Sequence, residues 1–308
     1  MAGLVKKLLV GATLAAGVTA FASAPAKAGS ITGASITGVN GTDYYLYDAN
    51  ATNTYRNDAA SLSTILTGNS SSPTGNVELF ANSETLNNTQ FATYSTVTTL
   101  SGQIGGRSIT LSSLTAADWA STVAGGKTLA QTWFNAALSA NGFGSLVNPT
   151  SQTATVAYGT AWNKFNSGGG LQRFSDPNIS YVNQNDTTGQ VSIGLAGHLD
   201  ATSLLLGTLS STEQTLLNTL RDPSKAGAPM QASEIVKVVY DGGPAQYLYN
   251  FSATNSGLVA ADDLKSHTGN YELLLAGIPP AQVPEPSAML GLMGLGGFLA
   301  AKRKMKNA

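Results

Sequence analysis

Cysteine is absent from the 308 residues, histidine occurs twice, and charged side chains make up only 11% of the chain. Without cysteine an exported fold carries no disulfide, and no thiolate is present to ligate a metal or attack a substrate. Stability must then come from burying apolar surface. The two histidines, His198 and His267, are too few for a His-Glu-x-x-His zinc site, and no Gly-x-Ser-x-Gly elbow exists. Either histidine could serve as a general base beside Asp200, or beside Asp262 and Asp263. Neighbours in sequence do not make a triad, however, and surface or strand-end histidines are the simpler reading.

Long apolar runs are confined to the two ends of the chain. At the start, Lys6 and Lys7 precede an uncharged, mostly apolar stretch from Leu8 to Ala22. That is the charged and hydrophobic layout of a secretory leader, too short for a comfortable membrane span. Two small-x-small sites follow. Cutting after Ala24 would place Pro25 first, whereas Ala26-Lys27-Ala28 leaves Gly29 first, so cleavage by signal peptidase is expected after Ala28.

At the other end, Val283-Pro284-Glu285-Pro286 is followed by an apolar run over 288–301 and then by Lys302, Arg303, Lys304 and Lys306. The two prolines remove backbone donors and hold the segment extended, where a protease can grip it. The 14-residue run rises about 21 Å as a helix, short of the roughly 30 Å hydrocarbon layer, and snorkelling lysines cover the difference. The basic end is expected to stay on the cytoplasmic side as a topological stop.

This order, over roughly the last 25 residues, resembles the PEP-CTERM sorting signal of bacterial exosortase substrates. The resemblance implies a Gram-negative-type host, an exosortase-type membrane protease as partner, transient anchoring in the inner membrane, and release to the cell surface or beyond. Such substrates are often linked with exopolysaccharide or biofilm, so an exopolysaccharide is a candidate partner.

Between the ends lies a body of residues 29–282, enough for one large or two small domains. It keeps nine Lys and Arg against sixteen acids, a balance of −7. Such a body has no electrostatic footprint for nucleic acid. The near-duplicate Ser30–Ala34 and Ser35–Val39 reads as an extended edge segment, not a solenoid. Strands are expected at Tyr44–Tyr47, Val77–Phe80, Phe91–Leu100 and Ser108–Leu111.

The period then changes. Thr115 with Asp118 marks a helix start, and Ala130, Trp133, Phe134, Ala137 and Leu138 share one helical face. Tyr158, Ala161, Trp162 and Phe165 repeat the spacing. Alternation returns in one hairpin (Ile179 and Tyr181 with Val191, Ile193 and Leu195) and in a second around Asp241-Gly242-Gly243-Pro244, where Tyr247, Tyr249 and Phe251 alternate back. Short helices are expected at Ala201–Leu209 and after Ser210, whose partner is Glu213, and a last strand at Tyr271–Leu275. The fold class read from this order is α+β, a β-rich extracellular-type domain with a helical middle and a single apolar C-terminal helix. The alternative is a β-sandwich with a helical insertion.

Chemistry is harder to place. Gly126-Lys127-Thr128 lacks the earlier glycine of a phosphate loop, since Ser121 stands there. Asp176, Asn178, Asn183, Asn185 and Asp186 offer oxygen ligands for calcium, but match no EF-hand and suit turn chemistry better. Six carboxylates between Asp176 and Glu234 are too scattered for a glycosidase pair to be chosen. Trp119, Trp133 and Trp162 sit at helical spacings that favour core over a sugar platform. Seven Asn-x-Ser/Thr acceptors, at Asn40, Asn50, Asn69, Asn87, Asn178, Asn185 and Asn250, arise naturally in so polar a chain. The expectation is an exported cell-surface or matrix protein, non-enzymatic, without metal or cofactor. Its rivals are a secreted polysaccharide hydrolase, marked by two carboxylates converging on a cleft, and a carbohydrate-binding adhesin, marked by an exposed aromatic row.

Overall fold

The computed structural model describes residues 28–123 and 125–280. Among them, fourteen strands run in chain order: β1 (Ala28–Ser30), β2 (Thr32–Thr37), β3 (Tyr44–Ala49), β4 (Asn53–Arg56), β5 (Gly75–Leu79), β6 (Thr99–Ile104), β7 (Arg107–Ser112), β8 (Asn178–Asn185), β9 (Val191–Gly197), β10 (Val236–Tyr240), β11 (Gln246–Leu248), β12 (Thr254–Asn255), β13 (Val259–Ala260) and β14 (Gly269–Leu275). One sheet has the order β12-β14-β9-β8-β5-β3-β4-β13, with β1 added onto β8; the other is β11-β10-β7-β6-β2.

Alternation along the strands decides which residues meet. Val77 and Leu79 of β5, Ile193 and Leu195 of β9, Leu100 of β6, Leu111 of β7 and Val238 of β10 all enter one fully buried cluster. The two sheets therefore share a core. The arrangement is β-rich with helices inserted between β7 and β8, as the reading of a β-rich domain with a helical middle expects.

The helical middle builds a second, aromatic core. Helix Leu129–Ala140 begins with a capping box: Thr128 Oγ1 accepts from the Gln131 amide at 3.2 Å, and the Gln131 side chain accepts from the Thr128 amide. Its apolar face buries Ala130, Trp133, Phe134, Ala137 and Leu138 against Ala157, Ala161 and Phe165 of helix Gln152–Ser167. The Trp133 ring centroid lies 4.5 Å from that of Phe174 and 5.7 Å from that of Phe165. Trp119 and Trp133 are fully buried and Trp162 packs on the same cluster, so the tryptophans are core.

Several expectations hold with small shifts. The Thr115–Asp118 and Ser210–Glu213 pairs are both complete capping boxes. Asp241 and Gly242 both take positive φ, 51° and 69°, as a tight hairpin turn requires. Two strands need correction. The stretch Phe91–Leu100 is not one strand: Asn87 accepts from the Gln90 amide at 3.0 Å, starts helix Asn88–Thr93 and buries Phe91, and β6 begins only at Thr99. The return strand of the second hairpin ends at Leu248; Tyr249 and Phe251 pack on the helical core instead, because the Ser233 amide donates to the Asn250 carbonyl at 2.9 Å and turns the chain.

Both ends of the body meet at one residue. Gly29 stands in register with Gln184 on β8, and the Gln184 side-chain amide donates to the carbonyls of Gly189 at 2.8 Å and Ile278 at 3.0 Å. No helix among the described residues is long and apolar enough to cross a membrane, and the apolar run 288–301 lies outside them.

Candidate functional site

The second face of β5 is polar. Alternation that sends Val77 and Leu79 into the shared core sends Asn76 and Glu78 the other way. Register places Glu78 opposite Tyr45 on one side and Asn178 on the other. The start of β8, the end of β9, the segment entering β10 and the loop before β14 close around this face. They leave a cleft of about 300 Å³ lined by Glu78, Asp176, Glu234, His198, Asp262 and Asp263, among others.

Each inner carboxyl is held. Tyr47 donates its hydroxyl to Glu78 Oε2 at 3.0 Å. Ser83 donates to Asp176 Oδ2 at 2.5 Å. Asn178 donates to Glu234 twice, from its backbone amide at 2.8 Å and its side-chain amide at 3.2 Å. Burial nevertheless dominates, because removing an ionised carboxylate from water costs more than one or two hydrogen bonds return. It pushes Glu78 up to about 7 and Glu234 up to about 8, and it holds Asp176, with Glu234 and Glu78 near it, well above the ordinary range. Asp263 behaves differently: although burial opposes it, amide hydrogen bonds from Ser266 and Lys265 keep it below the usual value. The cleft thus sets carboxyls that keep a proton near neutrality beside one that is ionised, the division of labour that acid–base chemistry needs.

Two acceptors in the cleft have no partner among the described residues. Oδ1 of Asp176 and Oδ1 of Asn178 are buried and unpaired, on residues only 6% and 9% exposed. A buried acceptor without a donor is costly.

The histidines come to the same place. Burial holds both below the ordinary imidazole value, His267 at about 4. His267 is 5% exposed, and its Nδ1 pairs with Thr54 Oγ1 at 2.6 Å and with the Asn76 amide at 3.3 Å. That pair opens onto a cavity of only about 10 Å³, room for no more than a water, so Thr54 is no nucleophile for a polymer.

Other sequence candidates disperse. Asp200 accepts from the Thr202 amide, Asn183 donates to the Gly68 carbonyl, and Asn185 accepts from the Thr187 and Thr188 amides in a turn. Of the five oxygen-bearing side chains weighed for calcium, Asp176 and Asn178 line the cleft while Asn183 and Asn185 bond elsewhere, and no group of three or more His, Cys, Asp or Glu placed to hold a metal occurs among the described residues. Of the six scattered carboxylates, the fold selects Asp176 and Glu234 and adds Glu78. Glu78 was legible only as a charge alternating with Val77 and Leu79 on a strand.

The remaining sequence candidates lie largely beyond the described part. Ala28 opens β1 opposite Asn185. Ala26, Val283, Pro284, Glu285, Pro286, Lys302, Arg303, Lys304 and Lys306 lie outside the described residues. The comparison with known proteins bears on part of the tail. Residues 282–304 match the PEP-CTERM protein-sorting motif. The chain contains a PEP-CTERM sorting motif at this end. It is accordingly an exported protein with a membrane-associated C-terminal signal, and proteins of this kind are processed by exosortase, a membrane protease. No curated protein and no solved structure matches the chain.

Proposed function

We propose that this PEP-CTERM protein is a surface hydrolase that cleaves glycosidic bonds in a hydrated polymer, with Glu78 or Glu234 as general acid and Asp263 as the ionised partner. The observation that supports it is the convergence of Glu78, Asp176 and Glu234 on one cleft with Asp262 and Asp263. Sequence alone favours a non-enzymatic matrix component, and two converging carboxylates are the feature that tips the reading to its rival. A proton on the acid goes to the leaving oxygen as the glycosidic bond breaks, while the ionised carboxylate takes a proton from a water that attacks the anomeric carbon from the opposite side of the sugar ring and forms the new C–O bond. The cleft residues can do this without thiol or metal.

The non-enzymatic reading keeps one observation in its favour: each inner carboxyl already has a partner in Tyr47, Ser83 or Asn178, as in a purely structural network. Incubating the purified mature protein with the host's own exopolysaccharide and measuring new reducing ends separates the two. Release that stops in both Glu78→Gln and Glu234→Gln, with folding intact, supports the hydrolase. No release from any neutral surface polymer returns the protein to the matrix role.

The route is part of the proposal. Signal peptidase removes residues 1–28, the run 288–301 holds the chain in the inner membrane against Lys302, Arg303, Lys304 and Lys306, and exosortase acts at Val283–Pro286 before release to the surface. Intact-mass measurement of surface material should show a start at Gly29 and no tail. Mature protein still carrying Lys302 to Lys306 would mean a permanent anchor.

A further inference from the structure

A second cavity of about 300 Å³ adjoins the cleft and has a different character. Its walls carry Asn87, Asn88, Ser167 and Gln172, and its only charged lining residues are Glu84 and Arg173. Those two also line the cleft, so they stand between the cavities, Arg173 Nε donating to Glu84 Oε1 at 3.3 Å. The amides are preset. Asn88 donates to the carbonyl of Ser167 at 3.1 Å, and its Oδ1 accepts from the Gln172 side chain at 2.6 Å. Gln172 itself is only 3% exposed, so its rotamer is fixed by packing.

The lining of Asn87, Asn88, Ser167 and Gln172 is polar but uncharged. That suits a ligand bearing many hydroxyls and no charge. An acidic polymer is disfavoured by the body's balance of −7 and by the carboxyls in the neighbouring cleft. Two cavities that share a wall, each at the lower end of the size range for ligand pockets, fit successive units of one chain better than two separate small molecules.

We infer that the two cavities are adjoining subsites for one neutral glycan chain, the amide-lined one gripping the units next to those in the carboxyl cleft, with Glu84 and Arg173 contacting the linkage between. The inference rests on the hydrolase reading for the identity of the ligand but not for its chemistry. Because the second subsite lies beyond the Glu84–Arg173 wall, its contacts add to affinity only once the chain is long enough to pass that wall.

The test is a length series. Neutral oligosaccharides from partial acid hydrolysis of the host's exopolysaccharide, graded from one unit to eight, are titrated calorimetrically against the mature protein. Affinity should rise about tenfold or more at the length that reaches the second cavity, and Asn88→Ala should remove that step while leaving affinity for the shortest binders unchanged. Gln172→Asn, a smaller change that keeps an amide, should lower the step only in part and guards against misfolding of the first variant. A flat dependence on length, equal losses for short and long chains, or no binding at any length overturns the subsites. Binding with the length step but no release of reducing ends sinks the hydrolase and leaves the groove standing. Cleavage with flat length dependence does the reverse.

Discussion

The two faces of the nine-stranded sheet are made by the same strands and obey different rules. On β5, Val77 and Leu79 vanish into a dry core, whereas Asn76 and Glu78, one residue away, join a network of hydroxyls, amides and imidazole. The dry face is insensitive to pH and tolerates only changes that keep its volume. The polar face holds its groups by hydrogen bonds that return less than burial takes, so it is the face that stores chemical potential. A sheet can thus be its own scaffold: one side supplies the stability that the other side spends.

The comparison breaks most visibly on the dry side. Leu79→Ala removes a fully buried side chain between the sheets and should cost about 2–5 kcal/mol in urea unfolding, at every pH between 4.5 and 8 alike. A pH-dependent loss would mean that the two faces are coupled.

On the polar side the sign depends on pH. Folded Glu78 keeps its proton up to about pH 7, while the unfolded chain releases it near 4.5. Stability is therefore full at and below pH 4.5 and is lost as pH rises towards 7. Glu78→Gln cannot ionise, so relative to the parent it should gain on the order of 1 kcal/mol at pH 8 and nothing at pH 4, read from paired thermal melts. His267 acts in the opposite direction, being neutral when folded down to about pH 4, and it is present in both proteins, so it cancels in the difference. Equal melting curves at pH 8 would show that folding leaves the Glu78 carboxyl at its unfolded value.

The smallest effect sharpens the same contrast. Tyr47 donates to Glu78 and so favours the charged carboxyl; Tyr47→Phe should cost less than about 1 kcal/mol yet raise the acid's pKa. If Glu78 is the general acid, the alkaline limb of the rate profile moves to higher pH in this variant. A limb that stays put assigns the acid to Glu234.

Local signals were legible because they depend on neighbours in sequence. Thr115 with Asp118, Ser210 with Glu213, and the face of Ala130, Trp133 and Phe134 all read directly, since caps and helical faces repeat within a turn. The Asn87–Gln90 cap was missed because Thr and aromatic residues after it favour a strand, and a buried Phe91 overrode that preference. The cleft was not legible. Glu78, Asp176, Glu234 and the Asp262–His267 loop come together only through the pairing of β5 with β8 and of β14 with β9, and long-range register leaves no mark on a single sequence. The tail is the opposite case, a signal contiguous in sequence, and its order is the clearest part of the chain.

Gln184 gives the body a mechanical property. Because Gly29 lies beside it and Ile278 is bonded to its side chain, whatever precedes Ala28 and follows Pro280 leaves the body from one spot. A pull between the two ends would meet β1 and the Gln184 amide first, before it reached the pairing of β14 with β9 behind them.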